Sequence, residues 1–400
     1  MMNLQLARIA PEPNPAVICD FGMETAARTI AFHRSFPEYA PTPLRSLAHL
    51  AEYLNVGAVW VKDESFRFGL NAFKALGGSY AIGRCIAERL GVDPEGIDYD
   101  LLTDDSVRKR LGRITFITAT DGNHGRGVAW TANRMRQGCI VHMPKGSAAE
   151  RLNNIRALGA DADILNLNYD GCVAQSMREA EENGNILVQD TAMAGYTKIP
   201  RWIMQGYATM GAEAIAQLRG DLPTHLFLQA GVGSMAAAMA ALFSDAAARA
   251  GRRLTIVIVE PHAANCIFRT AQANDGQLHP VTGDMNTIMA GLACGVPCTT
   301  AWDVLKSTAE FYISMPDCVA ARGMRVLGNP MGGDARVISG ESGASALGLA
   351  YELCANPDCA EIKKQIGVTP ESRILCFSTE GDTDRENYRR IVWDGKYPNA

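Results

Sequence analysis

Apolar and polar positions alternate along this 400-residue chain in two rhythms, and the switch from one to the other recurs many times. An apolar run at 58–61 gives way to Lys62-Asp63-Glu64, a loop, and helical spacing beyond Lys74. That is the pattern of strand, loop and helix start. Further strands are predicted at 114–118, 139–143, 162–165 and 186–188, with helices at 125–135 and 148–158 and another before 186. The second half continues with a helix over 200–218, a strand at 226–229 and a helix opened by Gly231. A nearly all-β-branched strand follows at 254–260, a composition suited to burial on both faces. Helices near 302–309, 318–327 and 344–354 and a last strand at 374–377 close the series. Residues 1–40, with Pro11, Pro13 and Pro15, read as irregular chain lying over a surface or a partner subunit. Pro41-Thr42-Pro43 introduces a helix over 44–55, and the polar stretch 93–110 reads as a surface insertion.

Repeated βα units with short connections predict an α/β fold of two domains, each with a central, mostly parallel sheet flanked by helices. The predicted division is a large domain of residues 1–85 and 196–400, with residues 86–195 inserted as a small one. A site is expected in the crevice beyond the strand ends. The length and a 47% hydrophobic content are enough for such a core. A net charge of −5 gives no reason to expect nucleic acid or an anionic membrane as partner. No apolar run approaches the roughly 18–20 residues of a membrane span, and the first residues lack the basic-then-apolar pattern of a secretion signal. A cytoplasmic protein is expected. The eleven cysteines show no CxxC pair and no zinc-type spacing, so no metal is predicted. They read as mostly buried and reduced, with a pair such as Cys266 and Cys294 left open.

Candidate chemistry gathers at four places. Lys74, flanked by Phe73, Ala75 and Leu76 and followed by Gly77-Gly78, is an amine in apolar surroundings, which suits imine chemistry. An ordinary snorkelling lysine would look the same in isolation. The turn Thr120-Asp121-Gly122-Asn123-His124 follows a strand and opens a helix, where backbone N–H groups can hold a carboxylate. The stretch Gly231-Val232-Gly233-Ser234 repeats the geometry, without the third glycine and acidic residue of a dinucleotide fingerprint, and so suits one phosphate. Ser378, at the end of the last strand, can offer a hydroxyl to a ring nitrogen. The carboxylates that follow it read better as a cap on the next helix.

Taken together, these motifs resemble the pyridoxal-phosphate enzymes of the tryptophan-synthase-β type (fold type II), over about residues 40–395. Within that group the longer strings are similar to the diaminopropionate ammonia-lyases. They include Phe68-Gly69-Leu70-Asn71-Ala72-Phe73-Lys74, Val188-Gln189-Asp190-Thr191 and Tyr196-Thr197-Lys198-Ile199-Pro200. The resemblance implies pyridoxal phosphate bonded to Lys74, with Asn123 on its phenolic oxygen, residues 231–234 on its phosphate and Ser378 on its ring nitrogen. It implies β-elimination from D- and L-2,3-diaminopropionate and a homodimeric assembly. Thr120, Asp121, Gly122 and Asp190 would meet the substrate. Most of the wider group carries Ser or Thr where this chain has Asp121, so Asp121 is read as a second acid–base group opposite Lys74. Asp190 is equally readable as a strand-end cap. A serine or threonine dehydratase, a racemase or β-replacement synthase, and a non-catalytic ligand-binding relative are the competing readings.

Overall fold

The computed structural model describes residues 2–120 and 122–398. Eleven strands are present among them: β1 Gln5–Arg8, β2 Leu44–Ser46, β3 Ala58–Asp63, β4 Thr115–Ala119, β5 Gly138–Met143, β6 Asp161–Ile164, β7 Ile186–Leu187, β8 His225–Gln229, β9 Thr255–Pro261, β10 Phe311–Met315 and β11 Arg373–Ser378. They form two sheets. The larger has the order β1-β10-β9-β8-β11-β3-β2, and the smaller β6-β5-β4-β7. Every pairing in the smaller sheet is parallel. In the larger sheet only the two edge strands run antiparallel. This is the α/β architecture expected from the alternation, and β9 is buried along its whole length.

Both faces of the larger sheet are covered, as parallel strands require. The Ala75–Leu90, Lys198–Leu218 and Ser234–Arg249 helices pack into one apolar core that continues to the smaller sheet through Phe116 and Val141. The Asp317–Gly328 and Glu341–Ala355 helices cover the other face around Phe227, Val257 and Cys376. No described helix is long and apolar enough to cross a membrane.

Two local expectations are corrected. The stretch expected to be irregular, 1–40, is ordered over much of its described length: β1 pairs with β10, and helices run over Pro15–Cys19 and Met23–Arg34. The prolines fall before or at the first helical position, where a missing N–H costs nothing. Phe32 and His33 anchor the second of these helices in the core. The helix predicted over 44–55 is shorter, Ala48–Tyr53, because Leu44–Ser46 is recruited as an edge strand against Trp60–Lys62. Edge pairing there overrides the apolar stripe. The polar stretch 93–110 holds two short helices, Tyr99–Thr103 and Asp105–Leu111. Strand β10 and the Cys266–Ala273 helix were not anticipated at all.

Candidate active site

The strand β3 ends at Asp63 and the chain turns through Glu64–Gly69 into the segment before Lys74. Three positive-φ residues, Phe68, Gly69 and Asn71, bend this segment back toward the loop after β11. There Phe73 N–H donates to the Thr379 carbonyl (3.1 Å) and Gly381 N–H to the Asn71 carbonyl (3.0 Å). A buried ion cluster lies underneath. Arg67 makes paired hydrogen bonds to Glu64 (2.8 and 2.9 Å) and to Glu213 (both 2.8 Å), and Lys62 donates to Glu213 at 2.7 Å. The fork-to-fork geometry fixes the loop against the Lys198–Leu218 helix. On the opposite side Gly127 sits so close that a Cβ there would lie 2.9 Å from the N and Cα of Ala75. Lys74 thus starts its helix from a backbone held on several sides.

The Lys74 amine meets Asp190, just beyond β7, with Nζ donating to Oδ2 at 2.5 Å. His124 Nε2–H donates to the Val188 carbonyl (2.8 Å), which turns Nδ1 toward the same carboxylate at 3.9 Å. Burial alone would raise the Asp190 carboxyl, but the charges of Lys74 and His124 hold it down at about 2. Asp190 is therefore an anion facing Lys74. Its own carbonyl accepts from Ser234 Oγ at 2.7 Å, tying the amine to the glycine loop.

That loop joins β8 to the Ser234–Arg249 helix. Gly233 has φ +98°, a conformation that an L side chain rarely adopts. The N–H groups of the helix's first turn have no partner within the helix, and its dipole favours an anion there. A cleft of about 400 Å³ is lined by Lys74, Thr120, Asn123, His124, Asp190 and all four residues 231–234, among others. The structure thus brings together three of the four stretches that the sequence singled out.

Two residues are placed differently from the rest. Ser378 is fully buried, does not reach the cleft wall, and donates to Ser339 Oγ (2.8 Å), while its neighbour Thr379 lines the cleft. Gly122 is likewise absent from the wall. Its N–H donates to Thr120 Oγ1, which also accepts from Gly125 N–H. Asp121 lies outside the described residues. Of the acidic stretch expected to cap the next helix, Asp384 does so through Asn387 N–H, whereas Asp382 accepts from Asn71 Nδ2 and Glu380 accepts from Asn123 Nδ2 on the cleft wall. None of the eleven cysteines forms a disulfide, and Cys266 and Cys294 lie on either side of Gly231.

Sequence reasoning missed Tyr207, Gln229 and Glu341 on the cleft wall. Tyr207 stands mid-helix and Glu341 at a helix start, positions with no local motif to mark them. Among the described residues the Tyr207 hydroxyl and Gln229 Oε1 are buried without a hydrogen-bond partner, and buried polar atoms are normally satisfied. The amide of Gln229 is oriented by its own bond, since Nε2 donates to the Phe377 carbonyl (2.9 Å) and to Thr379 Oγ1 (3.0 Å). That orientation leaves its oxygen able to accept from a donor in the cleft.

A family model described as pyridoxal-phosphate dependent enzyme matches residues 36–369. The diaminopropionate ammonia-lyase of Salmonella typhimurium is 47% identical over 371 residues, 92% of this chain and 91% of its own. That of Escherichia coli is 46% identical over 382 residues, 95% and 94% of the two chains. The chain belongs to the diaminopropionate ammonia-lyase family. Solved structures agree with that placement. The Escherichia coli diaminopropionate ammonia-lyase in complex with D-serine superposes with a TM-score of 0.92 at 43% identity, covering 100% of this chain and 99% of that one. The same lyase with an aminoacrylate–PLP azomethine reaction intermediate gives 0.90 at 43% identity, covering 99% and 98%. The family's cofactor is pyridoxal phosphate, and the cleft suits it. An anion-binding helix start, an amine fixed by a carboxylate, and unpaired polar atoms of Tyr207 and Gln229 provide for a phosphate, an aldehyde carbon and ring substituents.

Proposed function

We propose that this protein is a pyridoxal-phosphate-dependent ammonia-lyase that eliminates ammonia from 2,3-diaminopropionate, in both D and L forms, giving pyruvate and a second ammonia. The observation that carries the reading is the Lys74–Asp190 pair beside the Gly231–Ser234 helix start, in a chain of this family. When bound, the cofactor supplies the electron sink that makes a substrate Cα–H acidic. Residues 231–234 hold its phosphate, Asn123 its phenolic oxygen, and a hydroxyl at the end of β11 its ring nitrogen. For that last role Ser378 requires its bond to Ser339 to be exchanged, whereas Thr379 lies on the cleft wall.

The chain's own groups then move the protons. Asp190 steadies the Lys74 amine and offers the same oxygens to the α-amine that exchanges with it. Lys74 Nζ, once free, takes the Cα proton from one face, and Asp121 takes it from the other. Thr120 and Gly122 belong to the turn that holds the substrate carboxylate. Ammonia leaves from Cβ, and hydrolysis yields pyruvate and the second ammonia. We further propose a cytoplasmic homodimer, with residues 86–195 as an inserted small domain. Sedimentation, cell fractionation and limited proteolysis test these three points.

The deciding experiment is Lys74→Ala. The variant is expected to lose the visible absorption band and the borohydride-reducible lysine adduct of the cofactor-loaded protein. A reducible adduct surviving on another lysine would overturn the assignment. Relative kcat/KM on diaminopropionate, serine and threonine separates this lyase from a dehydratase.

A further inference from the structure

Asn123 does not stand alone in the cleft: its Nδ2 donates to Glu380 Oε2 at 2.5 Å, and Thr383 Oγ1 donates to the same oxygen at 3.2 Å. One N–H of the Asn123 amide is thereby engaged, which sets the plane of the amide and leaves the second N–H for a ligand. Glu380 is itself held next to Lys74, through the bridge between Ala72 and Glu380. On its other side lies the start of the Glu341–Ala355 helix. Gly340 N–H donates to the Glu380 carbonyl at 3.0 Å, and a Cβ built on Gly340 would stand 3.0 Å from Glu380 Oε1. Glu341 follows, buried and on the cleft wall, with Oε1 accepting from Asn387 Nδ2.

Two buried carboxyls side by side do not both ionise readily. The groups facing Glu341 are Glu380 from the loop after β11, Asn387 from the last helix, and Arg151 from the Ala149–Arg156 helix across the cleft. Asp384 lines the same cleft. Burial and then the charge of Glu380 push the Glu341 carboxyl up to about 7, against the opposing pull of Asn387 and Arg151.

We propose that Glu380 is a positioning residue that aims Asn123 at the phenolic oxygen of the cofactor ring, and that Glu341 is its proton-holding partner. The inference rests on the cofactor reading given above. Below neutral pH Glu341 carries the proton. As pH rises through neutrality the proton goes to solvent and a negative charge appears beside Glu380, two side chains from the cofactor. The loaded protein therefore senses pH through Asn123.

The test is a pH titration of the visible absorption band of the cofactor-loaded protein, with cofactor affinity measured alongside. The wild type is expected to show a spectral step with a midpoint at about 7. Glu341→Gln, a neutral isostere, should keep the band and lose that step. Asn387→Ala removes a donor to the ionised form and should move the midpoint upward, by about one pH unit. It also decides the matter if Glu341→Gln fails to fold. Glu380→Gln should shift the band at every pH. A Glu341→Gln or Asn387→Ala protein that titrates like the wild type would overturn the inference, as would a wild-type band that is flat across neutrality. A wild type with no visible band at saturating cofactor would instead sink the cofactor reading itself.

Discussion

Gly127→Ala is a one-carbon perturbation with a calculable effect on Lys74, the lysine proposed to react. The added Cβ would stand 2.9 Å from the N and Cα of Ala75 and 3.0 Å from the carbonyl carbon of Lys74. Carbon–carbon contacts are comfortable at about 3.5–4.0 Å, so one helix must move by roughly 0.5–1 Å. The atoms met are backbone and cannot rotate aside. Overpacking of this kind costs about 1–3 kcal/mol, and a displacement near 1 Å at a reacting group costs on the order of 100-fold in rate. Denaturant unfolding of the cofactor-free protein measures the first quantity, and kcat/KM on diaminopropionate the second. Gly96→Ala is the matched control, because nothing lies within 4 Å of its added Cβ. If Gly127→Ala unfolds with the control and keeps kcat/KM within about threefold, rigid backbone contact does not position Lys74, and that would falsify the packing argument.

Asp121→Asn is expected to impair turnover of D-diaminopropionate far more than that of the L form, and equal losses would count against a two-face mechanism. Arg67→Met leaves Glu64 and Glu213 buried with Lys62 as the remaining cation of the cluster. A loss of about 3–5 kcal/mol is expected, and denaturant midpoints unchanged from wild type would show that the cluster contributes little. His33 is wholly buried between Thr209, Ser79 and the Leu76 carbonyl, and burial with the nearby Arg67 charge lowers its pKa to about 3. The unfolded chain takes up a proton near 6.5 that the folded one refuses until about 3. Stability should thus fall as pH drops through that window, by up to about 1.4 kcal/mol per unit. His33→Asn should flatten the slope in melts taken from pH 7 to 4, and an unaltered slope would remove His33 from the account.

The fold was legible wherever one periodicity ran long enough to exclude the other. The β-branched run of β9 and the strand–loop–helix units around Lys74 and Gly233 fall where the pattern put them. Short edge strands did not announce themselves: Leu44–Ser46 and Gln5–Arg8 are strands only because β3 and β10 offer partners. For the candidate site, motifs that must bend the backbone were readable, since glycine and asparagine at turns leave a local signature. Asp190 was left between two roles, and the ion pair with Lys74 is a contact across 116 positions that no local spacing reveals. Gln229, Tyr207 and Glu341 have no signature of their own, because their significance comes from which hydrogen bonds their neighbours have already taken.

The position of β11 carries a consequence for biosynthesis. Strand β11, the last of the described strands in chain order, is inserted between β8 and β3, in the middle of the larger sheet, and the segment before Lys74 bonds to the residues that follow it. A nascent chain can close the smaller sheet as soon as Leu187 has emerged, since its four strands are contiguous in sequence. The larger sheet stays split, with exposed edges on β3 and β8, until residues 373–381 arrive. Unpaired strand edges are templates for mispairing, so that interval is the exposed one in synthesis. The same order leaves the segment before Lys74 without its hydrogen bonds to residues 379–381 until those residues have been made.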